Sequence, residues 1–125
     1  MSMLYLCPAP RSLTVGEGVF YLQNGACVLL DDRSLWSSIR LAARRNPLTK
    51  SLHYAVSSSA TTPSVTFFRE PELGHEAYTL TVTEDCIVIT YGDGAGAFYG
   101  MTTLVQIVEN CGAAIPCYAF SGEKF

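Results

Sequence analysis

Gly74-His-Glu-Ala-Tyr78-Thr-Leu-Thr-Val-Thr83-Glu-Asp-Cys86-Ile-Val-Ile-Thr-Tyr91-Gly-Asp-Gly-Ala-Gly96-Ala-Phe98-Tyr-Gly-Met-Thr-Thr-Leu-Val-Gln106-Ile-Val-Glu-Asn110 is the stretch whose periodicities decide the fold. From Tyr78 to Thr83 apolar and polar residues alternate with period two, the pattern of a half-buried strand. Glu84-Asp85 makes a turn, and Cys86 to Tyr91 returns as the partner strand of a hairpin. Beyond the glycine-rich Gly92 to Gly96, the period changes to that of a helix from about Ala97 to Asn110, with Phe98, Met101, Leu104, Val105 and Val108 on one face. Cys111-Gly112 ends it, with Gly112 suited to the position after the last helical turn.

Outward from this block, Ile115 to Phe120 reads as a last strand. Upstream, His53 to Val56 and Val65 to Arg69 read as strands joined by a polar loop from Ser57 to Ser64 that holds Pro63. Asp31-Asp32 supplies cap chemistry for an amphipathic helix from about Asp32 to Arg45, in which Leu35, Trp36, Ile39, Ala42 and Ala43 recur at helical spacing and Asn46-Pro47 is the stop. Leu4 to Cys7, Val19 to Leu22 and Cys27 to Leu30 are short strand candidates, the last two separated by Gln23-Asn24-Gly25, a hairpin signal. The expectation is a single α+β domain over residues 1–125, with two helices packed on one face of a largely antiparallel sheet.

Composition narrows the function classes. The chain has 125 residues, 49% hydrophobic and only 15% charged, with a net charge of −3. So little charge points to a surface partly packed on something else, so that self-association through an apolar face is one option. The basic residues cluster only at Arg40, Arg44 and Arg45, which argues against nucleic acid. No run of apolar residues is long enough to span a membrane. Met1 to Pro10 has neither a basic opening nor a long apolar run, so no signal peptide is read and a cytoplasmic location is expected. Cys7, Cys27, Cys86, Cys111 and Cys117 form no CxxC or Cys/His cluster, so reduced thiols are expected and no metal site.

Four patterns invite a chemical reading. Gly92-x-Gly94-x-x-Ala97 matches a loose dinucleotide fingerprint between strand and helix. The strand before it, however, belongs to an antiparallel hairpin, and of the acids that could close the next strand Glu109 is still on the helix and Glu123 comes too late. A tight connection with close backbone approach explains the glycines better. Asp31-Asp32 and Glu84-Asp85 sit where capping and turn formation favour acids. His53 and His75 lack a nucleophile in recognisable context. Trp36, Tyr78, Tyr91, Phe98 and Tyr99 suit a core or a domain interface better than a sugar platform. No catalytic, cofactor-binding or metal-binding residue is assigned, and no cofactor is expected.

The block resembles the N-terminal domain of β-N-acetylhexosaminidases, the family 20 glycoside hydrolases. Gly74, Glu76, Tyr78 and Leu80 match its Gly-x-Glu-x-Tyr-x-Leu, and Ala95, Gly96, Phe98, Tyr99, Gly100, Thr103, Leu104 and Gln106 match its Ala-Gly-x-Phe-Tyr-Gly-x-x-Thr-Leu-x-Gln. Leu6-Cys-Pro-Ala-Pro10 is similar to its opening, and Ile115-Pro116 to the lead-in of its last strand. The resemblance implies a non-catalytic accessory domain whose partner is a catalytic (β/α)8 barrel, which carries the Asp-Glu pair and needs about 250 residues. A free-standing carbohydrate-binding or protein-interaction module is the alternative reading.

Overall fold

The computed structural model describes residues 12–56 and 63–123. The strands are β1 (Ser12–Tyr21), β2 (Cys27–Leu30), β3 (His53–Val56), β4 (Val65–Arg69), β5 (Ala77–Val82), β6 (Ile87–Tyr91) and β7 (Ala114–Glu123); the helices are α1 (Trp36–Ala43), α2 (Pro47–Lys50) and α3 (Gly94–Cys111). The strands form one seven-stranded sheet in the order β1-β7-β5-β6-β4-β2-β3. The strand candidate from Leu4 to Cys7 and most of the loop after β3 lie outside the described residues.

The β5–β6 hairpin forms as its alternation predicts, pairing Tyr78 with Tyr91, Leu80 with Ile89 and Val82 with Ile87. Thr83 closes it: its N–H donates to the Cys86 carbonyl at 2.9 Å, and its hydroxyl oxygen accepts from the Cys86 N–H at 3.2 Å. The α+β class and a helix layer on one face are as expected. Within the sheet, three pairings are antiparallel, β1–β7, β5–β7 and β5–β6. The other three are parallel: β2–β3, β2–β4 and β4–β6. Strand periodicity carries no information on direction; the parallel half follows from its long connections, since parallel neighbours cannot be joined by a tight turn.

The register places one apolar row across the sheet. Val28 and Leu30 pair with Val65 and Phe67, which pair in turn with Ile87 and Ile89. These six and Leu80 are fully buried beneath the helices. The opposite face carries Thr79, Thr81, Val88 and Thr90, all half-buried, with the Thr79 and Thr90 hydroxyls hydrogen-bonded across the hairpin. α3 supplies Ala97, Met101, Leu104, Val105 and Ile107 to the core, all fully buried. Thr103 is buried too, and its hydroxyl meets the Tyr78 hydroxyl at 2.5 Å, so the largest polar group in the core is paired.

Three elements depart from expectation. Val19–Leu22 and Cys27–Leu30 do not form a hairpin around Asn24-Gly25: β1 pairs with β7, and β2 lies between β4 and β3. The turn forms, with the Ala26 N–H donating to the Gln23 carbonyl at 3.1 Å and Gly25 at φ +73°, but it redirects the chain rather than folding it back. β1 is also longer than read. Its register shifts between Val15 and Val19, where Gly18 takes φ +100° and lies against Glu84. Finally, Asn46-Pro47 ends one helix and starts another. The Asn46 side chain accepts from the Leu48 N–H at 2.8 Å, with Pro47 in the first helical position of α2.

The glycines ahead of α3 set how closely it lies on the hairpin. A Cβ at Gly96 would stand 2.2 Å from the Ala77 carbonyl oxygen, and one at Gly92 would stand 1.9 Å from that of Gly74. At Gly96 the clash is with the backbone of β5 itself, so relieving it would lift the helix start off that strand. Gly96→Ala should therefore lower stability by about 2–3 kcal/mol, a fall of roughly 10 °C in Tm. Gly94→Ala, whose added methyl would lie 3.8 Å from Leu35, should leave Tm unchanged or slightly raised. Thermal unfolding followed by circular dichroism compares the two, and equal Tm values would remove the close-approach account.

Candidate functional site

The residues with chemical potential gather at three places. At the start of α3, Asp93 caps the helix: its Oδ1 accepts from the Gly96 N–H at 2.9 Å and from the Glu76 N–H at 3.0 Å. Its Oδ2 stands 2.5 Å from His75 Nδ1, and His75 Nε2 lies 3.4 Å from Glu76 Oε1. Glu76 takes φ +59°, held there by its bond to Asp93. Partial burial works against the Asp93 charge. The Gly96 and Glu76 N–H groups and His75 outweigh it and hold the carboxyl below its ordinary value.

A histidine oriented by a carboxylate is half of a nucleophile-activating arrangement. The other half does not form: among the described residues His75 shares no hydrogen bond with a hydroxyl or thiol, and its side chain is 80% exposed. Asp93 also bears on the dinucleotide reading. A phosphate at a helix N-terminus needs free N–H groups and a favourable field; here a carboxylate already accepts from Gly96 and repels an anion. Gly92 and Gly96 serve backbone approach, as their contacts show. β6 nevertheless lies in both halves of the sheet, antiparallel to β5 and parallel to β4.

The two acidic pairs do not converge. Asp32 caps the 3-10 turn Arg33–Leu35, accepting from the Ser34 N–H at 2.9 Å, and that bond holds its carboxyl below the usual range. Asp31 is not a cap. It accepts from the Arg69 N–H at 2.7 Å and from the Tyr91 hydroxyl, tying the end of β2 to the ends of β4 and β6. Burial, then the bond to Asp31, raises the Tyr91 phenol pKa. Glu84-Asp85 sits at the opposite end of β6, a five-residue strand of about 16 Å. Two carboxylates that share one glycosidic bond stand within about 10 Å of each other.

The aromatic residues are packing groups. Tyr78 and Tyr91 are buried in the core, Trp36 packs on Tyr54 with ring centroids 6.3 Å apart, and Phe98 meets Tyr99 edge-on at 5.7 Å. His53 opens β3 and is exposed. Cys27, Cys86, Cys111 and Cys117 are free thiols, and burial pushes the Cys111 thiol up. Among the described residues, no group of three or more metal-ligating side chains occurs, and no helix is long and apolar enough to cross a membrane. The exposed large hydrophobic residues Val19, Tyr21, Leu41 and Phe68 lie on three separate elements.

The cluster that sequence reasoning missed is His75–Glu76–Asp93, whose members are 18 positions apart at most. Its signal was an aspartate one position before the glycine-rich start of a helix, a cap position.

Comparison with known proteins matches this architecture. The model of the family described as glycosyl hydrolase family 20, domain 2, matches residues 3–119. Among solved structures, a β-N-acetylhexosaminidase from Bacteroides fragilis superposes with a TM-score of 0.79 at 21% identity, over 95% of this chain and 24% of that one. An exo-β-N-acetylglucosaminidase from Vibrio harveyi gives 0.73 at 21% identity, over 95% and 19%. An N-acetyl-β-hexosaminidase from Streptomyces plicatus gives 0.69 at 21% identity, over 91% and 25%. This chain thus spans about a fifth to a quarter of their length, and at such identity the likeness establishes the fold.

Replacing Asp93 tests the cap directly. Asp93→Ala should cost about 1–2 kcal/mol, and Asp93→Asn, which keeps an acceptor for Gly96, much less. A carboxyl held low in the folded state adds stability above its unfolded value of 3.8, and that contribution is lost as pH falls through the lower folded value. Urea midpoints from pH 6 to pH 2.5 should fall less steeply for Asp93→Asn than for the native chain; parallel curves would contradict this role.

Proposed function

We propose, from the premise that this chain belongs to glycosyl hydrolase family 20, domain 2, that it is a non-catalytic accessory domain supporting a β-N-acetylhexosaminidase-like catalytic barrel. The observation that carries this reading is the disposition of its acids. Asp31 and Asp32 are spent on a strand end and a cap, Glu84-Asp85 lies at the opposite end of β6, and among the described residues His75, set between Asp93 and Glu76, shares no hydrogen bond with a hydroxyl or thiol. A reaction needs an acid, a base and a nucleophile or water site within reach of one another. The domain contributes a surface instead.

The helix layer fits that surface best. α3 is nearly all buried on its inner sides, and its outward stripe of Ala95, Phe98, Thr102 and Gln106 is uncharged and half-buried. In water such a stripe on the longest helix is poorly explained, whereas against a barrel it becomes interior. The opposite face of the sheet, rich in half-buried threonines, is suited to solvent.

The isolated chain should show no turnover of a chromogenic N-acetylglucosaminide above the buffer blank, and clear hydrolysis would overturn the accessory reading. Thr102→Arg should change the Tm of the isolated chain by no more than about 2 °C, since it is a half-exposed helix position. In a longer protein that holds the barrel, the same substitution should loosen the domain and speed its release by limited proteolysis. Equal release rates would place the barrel elsewhere.

We also propose a reducing, cytoplasmic setting, supported by the free thiols of the described residues. Alkylation of the denatured chain taken directly from cells should add five labels, one for each cysteine in the sequence; fewer would contradict it.

A further inference from the structure

The basic residues of the first helix are the motif that the accessory role leaves unused. Arg40 of α1 and Arg44, which caps the C-terminal end of that helix, lie one turn apart, and the chain turns at Asn46-Pro47 to bring Lys50 of α2 round to the same side. With Ala43 and Tyr54 they line a cavity of about 160 Å³. A broader depression, lined by Ser37, Arg40, Leu41 and Arg44, adjoins it and shares both arginines.

Arg40, Arg44 and Lys50 are exposed, and an anion held among them would relieve the repulsion between their like charges. No carboxylate among the described residues supplies it. Among the described residues this basic stretch forms one ion pair, Arg45 with Glu109 at 3.9 Å, and Arg45 does not line the cavity. The Tyr54 hydroxyl, shielded from solvent, has no hydrogen-bond partner among the described residues, nor has the indole N–H of neighbouring Trp36. Burial raises the Tyr54 phenol to about 12, so it stays a donor. Arg40, Arg44 and Lys50 give the wall three cationic donor groups. Two guanidinium forks and an ammonium suit a ligand that presents several oxygen acceptors at once.

We propose that the cavity between α1, α2 and β3 is an oxyanion-binding site, with Arg40, Arg44 and Lys50 as its cationic ligands. The site stands whether or not the helix layer meets a barrel, because its three cations converge within this chain. Its occupant is either a free phosphate- or sulfate-like group or a carboxylate side chain of an adjoining domain. Both present the same chemistry to the arginines.

The test is a titration of the ¹⁵N-labelled 125-residue chain with sodium sulfate, sodium phosphate and sodium acetate, each at ionic strength held constant with sodium chloride. The Trp36 indole N–H resonance, next to Tyr54, should move saturably with at least one of the three. Arg40→Gln and Arg44→Gln should each weaken that binding about five- to tenfold. Arg45→Gln, removing a charge of the same helix end from outside the cavity, should leave it nearly unchanged. Tighter binding of the dianions than of acetate assigns the site to a free oxyanion, and acetate binding as tightly as sulfate assigns it to a carboxylate side chain. No response beyond chloride with any of the three overturns the proposal, and so does equal weakening by Arg44→Gln and Arg45→Gln. Circular dichroism of each variant, expected to match the native chain, separates lost binding from lost folding.

Discussion

The close seating of α3 on the β5–β6 hairpin is the contact on which the rest of the structure depends. Gly92 and Gly96 let the helix start pass against the backbones of Gly74 and Ala77, and Gly100 lets it lie on Ile89 and Tyr78. With the helix at that depth, Ala97, Leu104 and Ile107 fill the core, and Thr103 reaches the Tyr78 hydroxyl. Asp93 fixes the start of the helix and at the same time holds Glu76 in its unusual conformation. β7 then returns from α3 to pair with β5, so one helix and three strands close into a unit around which both sheet edges are built.

That unit was legible because each part carries a local signal. The alternation from Tyr78 to Thr83 needs no partner to be recognised, and Phe98 to Val108 shows one helical face on its own. The glycines gave away close approach but not the helix start, which lies at Gly94 rather than Ala97 because an aspartate cap outweighs the low helix propensity of glycine. The parallel pairing of β2, β3 and β4 was not legible, since a strand of four apolar residues looks the same whichever way its neighbour runs. Asn24-Gly25 made its turn and not its hairpin. Turn chemistry is local, whereas the choice between β2 and β7 as partner of β1 is made by the whole sheet.

For the candidate sites, the sequence was a good guide to what acids do at chain turns. It was a poor one to contacts over distance. Asp32 is the cap that its position suggests, whereas Asp31 is claimed by Arg69 and Tyr91, 38 and 60 positions away. The cluster of arginines was visible as composition, but only the turn at Asn46-Pro47 brings Lys50 beside Arg40 and Arg44. The outward stripe of α3, from Ala95 through Phe98 and Thr102 to Gln106, carries no charge.

Native-state hydrogen exchange tests the central claim most directly, that α3 and the β5–β6 hairpin are one cooperative unit locked by their close approach. Amides of Ala97 to Val108 and of Thr79, Leu80, Val88 and Ile89 should exchange only through global unfolding, with one shared opening free energy and one shared denaturant dependence. If the α3 amides open at markedly lower free energy than those of the hairpin, the helix is a separable layer, and the seating of α3 is not what holds this fold together.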